Sequence, residues 1–131
     1  MATGKIMIVD DEQDVREAMK LQLEGKNFQI LEAENGEEAI NVLHQGDHLT
    51  NLALILCDIR MPKVNGVECI DYLKEKAPGI PVVVVTAFPD AELAASLLKK
   101  GIKDYLVKPV SKEKLVSTVE AMIAAGKDVG L

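Results

Sequence analysis

Short apolar runs alternate with stretches of helical periodicity along the whole chain. The runs span residues 5–9, 28–31, 52–57, 81–85 and 104–107. Three of them are apolar throughout, which is typical of strands covered on both faces in a parallel sheet. Their starts lie roughly 25 residues apart, close to the length of a strand–helix unit. The pattern therefore predicts five parallel strands.

Between the runs, apolar residues recur at the spacing of one helix face. The five stripes are Val15, Ala18, Met19 and Leu23; Ala39 and Leu43; Val67, Ile70 and Leu73; Leu93, Leu97 and Leu98; and Leu115, Val119, Met122 and Ile123. Asn35 stands three residues before Glu38, as in a capping box. Asp90 and Ser111 suit helix N-caps, and Gly101 suits a helix C-terminus.

Strand and helix thus alternate five times, which predicts an α/β fold. Right-handed crossovers would make it a doubly wound (βα)5 domain with helices on both faces of a parallel sheet. A length of 131 residues without a linker or low-complexity tract suits one domain, residues 1–131. The polar residues 44–51 fit least well, and the second helix can extend into them.

Composition narrows the possible partners. The net charge of −6 argues against direct nucleic-acid binding and against an anionic membrane surface. The longest apolar run is too short to cross a bilayer, and the N-terminus does not resemble a signal peptide.

Cys57 and Cys69 are expected to be buried, reduced thiols in a cytosolic protein. We expect His44 and His48 to lie at the surface.

Polar residues follow four of the predicted strands. Asp10 and Asp11 follow the first, Asp58 the third, and Thr86 and Lys108 the fourth and fifth. Because the carboxyl ends of parallel strands share one edge of the sheet, these side chains are expected to converge.

The converging residues suit a site for a metal and a phosphoryl group. Crowded carboxylates need a cation, and Mg²⁺ prefers oxygen ligands. Lysine binds phosphate, and a carboxylate can act as a nucleophile. Each residue alone also has a structural explanation: Asp11 as a helix N-cap, Asp58 as a loop acid, Thr86 as a β-branched strand residue and Lys108 as a surface lysine. Their shared edge favours the site.

Four segments carry a resemblance to a known family. In order along the chain, IVDDEQDVRE, LILCDIRMPKVNG, VVVVTAF and KDYLVKPV together resemble the receiver domain of two-component response regulators. The resemblance covers residues from about 5 to about 125. It implies the flavodoxin-like strand order 2-1-3-4-5.

The resemblance assigns a metal site and a phosphoacceptor. It implies that Asp58 accepts the phosphoryl group. Asp11 and Asp58 would bind Mg²⁺ directly together with the backbone carbonyl of Arg60, while Asp10 would act through a metal-bound water. Mn²⁺ is expected to substitute for Mg²⁺.

It also assigns the phosphoryl contacts and a switch. Lys108 would pair with the phosphoryl oxygens, and Thr86 would hydrogen-bond one of them. Tyr105 matches the family's switch aromatic residue. The bond between Lys108 and Pro109 is expected to be cis.

The implied function is a phosphoaspartate signalling switch. A histidine kinase or histidine phosphotransfer protein would supply the phosphoryl group. The face formed by the fourth helix, fifth strand and fifth helix would then control an output domain or protein. The chain is not expected to be an enzyme beyond self-phosphorylation from small donors and autodephosphorylation. It is expected to be a monomer or a phosphorylation-dependent dimer.

Two alternatives remain open. An aspartate-nucleophile phosphatase would place a second acid two residues after the nucleophile, where this chain has Arg60. A receiver-like interaction module that takes no phosphate would not need the complete set of polar residues. The resemblance also implies that the positions of Arg60 and Phe88 flank the phosphoryl group. These bulky residues are predicted to hinder the attacking water and so to lengthen the lifetime of the phosphoryl group.

Overall fold

The computed structural model describes residues 4–25, 28–46, 52–59, 66–87 and 89–129. The strands are β1 (Gly4–Val9), β2 (Phe28–Ala33), β3 (Leu52–Cys57), β4 (Val82–Thr86) and β5 (Asp104–Val107). The helices are α1 (Gln13–Leu23), α2 (Gly36–Leu43), α3 (Gly66–Lys76), α4 (Ala91–Lys100) and α5 (Lys112–Val129). The predicted alternation of strand and helix is confirmed.

All strands pair in parallel, in the order β2-β1-β3-β4-β5. This is the order that the resemblance implied. β2 continues two residues beyond the predicted end, because Glu32 and Ala33 pair with the last residues of β1. β4 begins one residue later than predicted. Pro81 has no N–H group for the ladder, although its carbonyl accepts from the Ile55 N–H at 3.0 Å.

Two apolar cores cover the two faces of the sheet. On one face, strand residues pack with residues of α2, α3 and α4, among them Leu43, Leu73 and Leu97. On the other face, they pack with residues of α1 and α5, among them Met19 and Leu115. Successive residues of a strand therefore pack into opposite cores. This explains why β1, β3 and β4 are apolar throughout. Helices lie on both faces, as predicted.

The predicted caps fix the helix ends. Side-chain oxygens accept first-turn N–H groups at three helices: Asn35 from Glu38 (2.8 Å), Asp90 from Leu93 (2.9 Å) and Ser111 from Lys114 (3.1 Å). Gly101 ends α4 with a φ of 110°, a left-handed conformation that favours glycine. α2 ends at Leu43 and a turn follows, so α2 does not extend into the polar segment.

Cys57 and His44 have the predicted burial and exposure. Cys57 is buried and is not in a disulfide. His44 is exposed, and its Nε2 lies 2.6 Å from the Tyr72 hydroxyl. The Cys69 side chain and His48 lie outside the described residues. None of the helices in the described part of the chain has the length and apolarity needed to cross a membrane.

Candidate functional site

Backbone hydrogen bonds hold the strand ends at one edge of the sheet. The Asp58 N–H donates to the Val9 carbonyl at 2.9 Å, which carries the β1–β3 pairing one residue beyond β3. The Lys108 N–H donates to the Thr86 carbonyl at 2.8 Å and does the same for β4 and β5. The polar residues are therefore placed by the sheet ladder itself.

Lys108 links the ends of β1, β3 and β5. Its Nζ lies 2.6 Å from Oδ2 of Asp10 and 3.2 Å from Oδ2 of Asp58. The side chains of Asp10 and Asp58 are only 2% and 8% exposed, and that of Lys108 is 18% exposed. The predicted convergence of these three residues is therefore present, as a largely buried cluster of charges.

Burial and charge set the protonation of this cluster. Burial raises the pKa of Asp10 and outweighs the opposing effects of Lys108 and of the Glu12 N–H. Burial alone would lower the pKa of Lys108, but hydrogen bonds and charge from Asp10 and Asp58 raise it overall. Lys108 therefore remains an ammonium at neutral pH. Additional positive charge nearby would stabilise the ionised form of Asp10.

A group of carboxylates beside Lys108 could hold a cation. Oxygens of Asp10, Asp11 and Glu12 all lie within 4.8 Å of one another. Asp10 is buried, whereas Asp11 and Glu12 are exposed. Oxygen donors that are partly open to water suit Mg²⁺, which keeps several waters when it binds protein. The donor set therefore fits Mg²⁺. Arg60 lies outside the described residues.

The start of α1 shows how the acids are arranged. Glu12 is the N-cap residue but makes no side-chain capping bond. Oδ1 of Asp10 accepts from the Glu12 N–H at 3.0 Å. Asp11 is exposed and is not the N-cap, so the interpretation of Asp11 as a helix cap is wrong.

Thr86 and Tyr105 lie on the neighbouring strands β4 and β5. Thr86 is fully buried at the last position of β4. Tyr105 is partly buried and packs against the core on the α2–α3–α4 face. Burial raises the pKa of its hydroxyl, against a hydrogen bond with the Asp90 backbone. The Lys108-Pro109 bond is cis, as expected.

Two residues at this edge were not among the predicted site residues. Glu12 joins the carboxylate group, and Arg16 Nη1 donates to the Asp10 carbonyl oxygen at 2.7 Å. The feature of the sequence that links these two residues is their spacing. Arg16 comes four residues after Glu12, about one helical turn along α1. Phe88 lies outside the described residues.

Comparison with known proteins identifies the family. The family model described as "Response regulator receiver domain" matches residues 6–120. The chain belongs to the response regulator receiver domain family.

Solved structures support the same assignment. A response regulator receiver domain protein from Clostridium thermocellum has a TM-score of 0.88 at 25% identity, covering 96% of this chain and 98% of that one. TrrA, a response regulator from Thermotoga maritima solved in complex with Mg²⁺-BeF, has a TM-score of 0.78 at 29% identity. That match covers 91% of this chain and 98% of TrrA.

Curated relatives are longer than this chain. A cyclic di-GMP phosphodiesterase from Thermotoga maritima is 36% identical over 84% of this chain and 28% of its own length. The transcriptional regulatory protein ResD of Bacillus subtilis is 36% identical over 91% of this chain and 48% of its own length. The chain therefore spans less than half the length of these relatives.

Proposed function

We propose that this chain is a Mg²⁺-dependent phosphoaspartate switch with Asp58 as the phosphoacceptor. The observation that carries the proposal is the position of Lys108, whose ammonium contacts both Asp10 and Asp58 beside a group of carboxylates. That arrangement combines a buried nucleophile, a phosphate-binding cation and oxygen donors for a metal. We propose that it acts in the cytoplasm, as the interpretation of its two cysteines as reduced thiols indicates.

Asp11 and Asp58 would hold Mg²⁺ directly with the backbone carbonyl of Arg60, and Asp10 would hold one of its waters. Mn²⁺ would fit the same oxygen donors. When bound, the metal neutralises negative charge on the transferring phosphoryl group. Glu12 lies close enough to Asp10 and Asp11 to add negative charge to this pocket.

Asp58 would take the phosphoryl group from a phosphohistidine of a histidine kinase or phosphotransfer protein. A carboxylate oxygen forms a bond to phosphorus while the phosphorus–nitrogen bond breaks, and the imidazole nitrogen leaves with the electron pair. Lys108 then pairs with the phosphoryl oxygens of the acyl phosphate. The site contributes mainly by positioning the reactants and by compensating charge.

The modification would be read out through Thr86 and Tyr105. A phosphoryl group on Asp58 adds negative charge and strong acceptor oxygens, which would draw the Thr86 hydroxyl toward it. The space vacated by Thr86 would let Tyr105 turn inward. This is a shift between two packings, favoured by one covalent change.

The α4–β5–α5 face would carry the output. Leu98 on α4 and Val107 on β5 are 47% and 42% exposed, which gives this face apolar side chains that a partner could cover. The relatives named above have different functions, so the output domain or protein would differ among receivers. Phosphorylation could equally be read by a second copy of the chain, as a phosphorylation-dependent dimer.

The direct test is incubation of the protein with acetyl phosphate, followed by intact mass analysis. With Mg²⁺ we expect the addition of one phosphoryl group, and with a chelator in place of Mg²⁺ we expect none, because the carboxylate group needs a cation. Equal labelling with and without the metal would contradict the metal's role. Sustained turnover of small phosphate esters without a retained phosphoryl group would favour the phosphatase alternative.

A further inference from the structure

Arg16 connects α1 to the end of β1 and to β2. Its Nη1 donates to the Asp10 carbonyl at 2.7 Å, and its Nε donates to Oε1 of Glu32 at 3.0 Å. The Arg16 side chain is only 13% exposed. The guanidinium group therefore donates to two acceptors. Because its donors have a rigid planar arrangement, these two contacts fix its orientation.

Glu32 is held in turn by a second cation. Its Oε2 accepts from Nζ of Lys20 at 2.9 Å. The hydrogen bonds from Lys20 and Arg16 lower the pKa of Glu32, against the effect of burial. Glu32 pairs with Ile8 in the β1–β2 ladder, so this carboxylate is fixed to the sheet and remains ionised at neutral pH.

The contact with Arg16 completes the anchoring of Asp10. The Asp10 N–H donates to the Ala33 carbonyl at 3.1 Å. Its two carboxylate oxygens accept from Glu12 and Lys108, at 3.0 and 2.6 Å. The carbonyl oxygen is the remaining polar group of this residue, and Arg16 is its donor.

That carbonyl belongs to the peptide group that joins Asp10 to Asp11. Because a peptide group is planar, the orientation of its oxygen also fixes the direction in which the chain enters Asp11. Asp11 is exposed, and its side chain lies in the carboxylate group with Asp10 and Glu12. The hydrogen bond from Arg16 to the Asp10 carbonyl therefore influences the positions of both Asp10 and Asp11.

We propose that Arg16 is a positioning residue for the carboxylate group of Asp10, Asp11 and Glu12, because its guanidinium group holds the Asp10-Asp11 peptide group in place from α1. Glu32 sets the position of the Arg16 guanidinium group. This inference rests on the function proposed above. Arg16 has no role in the chemistry of phosphoryl transfer and acts through the affinity for the divalent cation.

The test is a titration of the protein with Mg²⁺ alone, in which binding is monitored through the amide chemical shifts. For Arg16→Met we expect the Mg²⁺ dissociation constant to rise about tenfold, the lower end of what loss of an outer-shell contact to a metal site costs. Arg16→Lys keeps one donor and is expected to fall between wild type and Arg16→Met. Phosphorylation by acetyl phosphate at saturating Mg²⁺ should approach the wild-type rate in both variants.

Lys20→Met is the matched control, because it removes the other cation on Glu32 and leaves the contact between Arg16 and Asp10. It should bind Mg²⁺ as the wild type does. An unchanged Mg²⁺ affinity in Arg16→Met, or an equal loss in Lys20→Met, would overturn the inference. If Arg16→Met does not fold, Glu32→Gln decides: a weaker Mg²⁺ affinity supports the inference, and an unchanged one overturns it.

The inference and the proposed function fail in different ways. If the wild-type protein neither binds Mg²⁺ nor accepts a phosphoryl group, the proposed function fails. If the wild type does both and the Arg16 variants bind Mg²⁺ with wild-type affinity, only the role of Arg16 fails.

Discussion

Asp58→Asn is expected to abolish phosphoryl incorporation from acetyl phosphate at any Mg²⁺ concentration. An amide of the same shape lacks the anionic oxygen that attacks phosphorus. The variant should still fold, because the substitution conserves volume and removes one of the crowded negative charges near Asp10. Intact mass spectrometry would show one added phosphoryl group on the wild type and none on the variant.

Asp71→Asn is a suitable control for this experiment. Asp71 is exposed on α3 and pairs with Lys100, so its loss should leave phosphorylation at the wild-type level. Full labelling of Asp58→Asn would contradict the assignment of the phosphoacceptor. Loss of labelling in the Asp71 variant would indicate that the assay reports folding rather than the site.

Lys108→Met is expected to have the second large effect. The substitution keeps the aliphatic stem but leaves Asp10 and Asp58 in a buried position without their ammonium partner. We expect the free energy of unfolding to fall by about 2 kcal/mol, below the usual range for breaking a buried ion pair because Lys108 is partly exposed. Any phosphorylated form should also lose the ion pair with its phosphoryl oxygens.

The pH dependence of this loss follows from Asp10. Burial already raises the pKa of Asp10 in the folded protein, and removal of Lys108 takes away the hydrogen bond and the positive charge that oppose it, leaving only the Glu12 N–H. A carboxyl group with a raised folded pKa destabilises the fold as pH rises above its unfolded value of 3.8. The stability deficit of Lys108→Met should therefore be small near that pH and larger at neutral pH. Denaturant unfolding at several pH values measures it.

A second substitution tests the cause of the deficit. Asp10→Asn combined with Lys108→Met removes one buried charge together with its partner, so the double variant should recover part of the lost stability. Lys112→Met, at an exposed lysine of α5, should leave stability within experimental error. Additive losses in the double variant would contradict a direct coupling between Asp10 and Lys108.

The sequence was sufficient to predict the alternation of strands and helices and the edge of the sheet where Asp10, Asp58 and Lys108 converge. Uninterrupted apolar runs mark strands buried on both faces, and a parallel sheet necessarily brings their carboxyl ends together. Asp10, Asp58 and Lys108 could therefore be grouped although they are far apart along the chain. The strand order came from the family resemblance, because hydrophobic periodicity does not determine which strands are neighbours.

The start of α1 and the end of β2 depend on local backbone geometry that the hydrophobic pattern does not predict. The interpretation of Asp11 as an N-cap was reasonable for an acid before a helix, but the chain enters α1 with Glu12 at that position and Asp10 bonded to its N–H. The role of Arg16 depends on β2 continuing to Ala33, which brings Glu32 opposite Ile8. Neither the helix entry nor the extra strand residues could be read from hydrophobicity.

The central claim is that remote segments form one pocket for a metal and a phosphoryl group on Asp58. The most direct measurement is a ¹H–¹⁵N correlation spectrum recorded with Mg²⁺ and beryllium fluoride, whose BeF₃⁻ species imitates an aspartate-bound phosphoryl group. We expect shifts concentrated at Asp58, Thr86, Tyr105 and Lys108 that require both reagents together. An unchanged spectrum, or shifts confined to residues away from the carboxyl ends of the strands, would contradict the account.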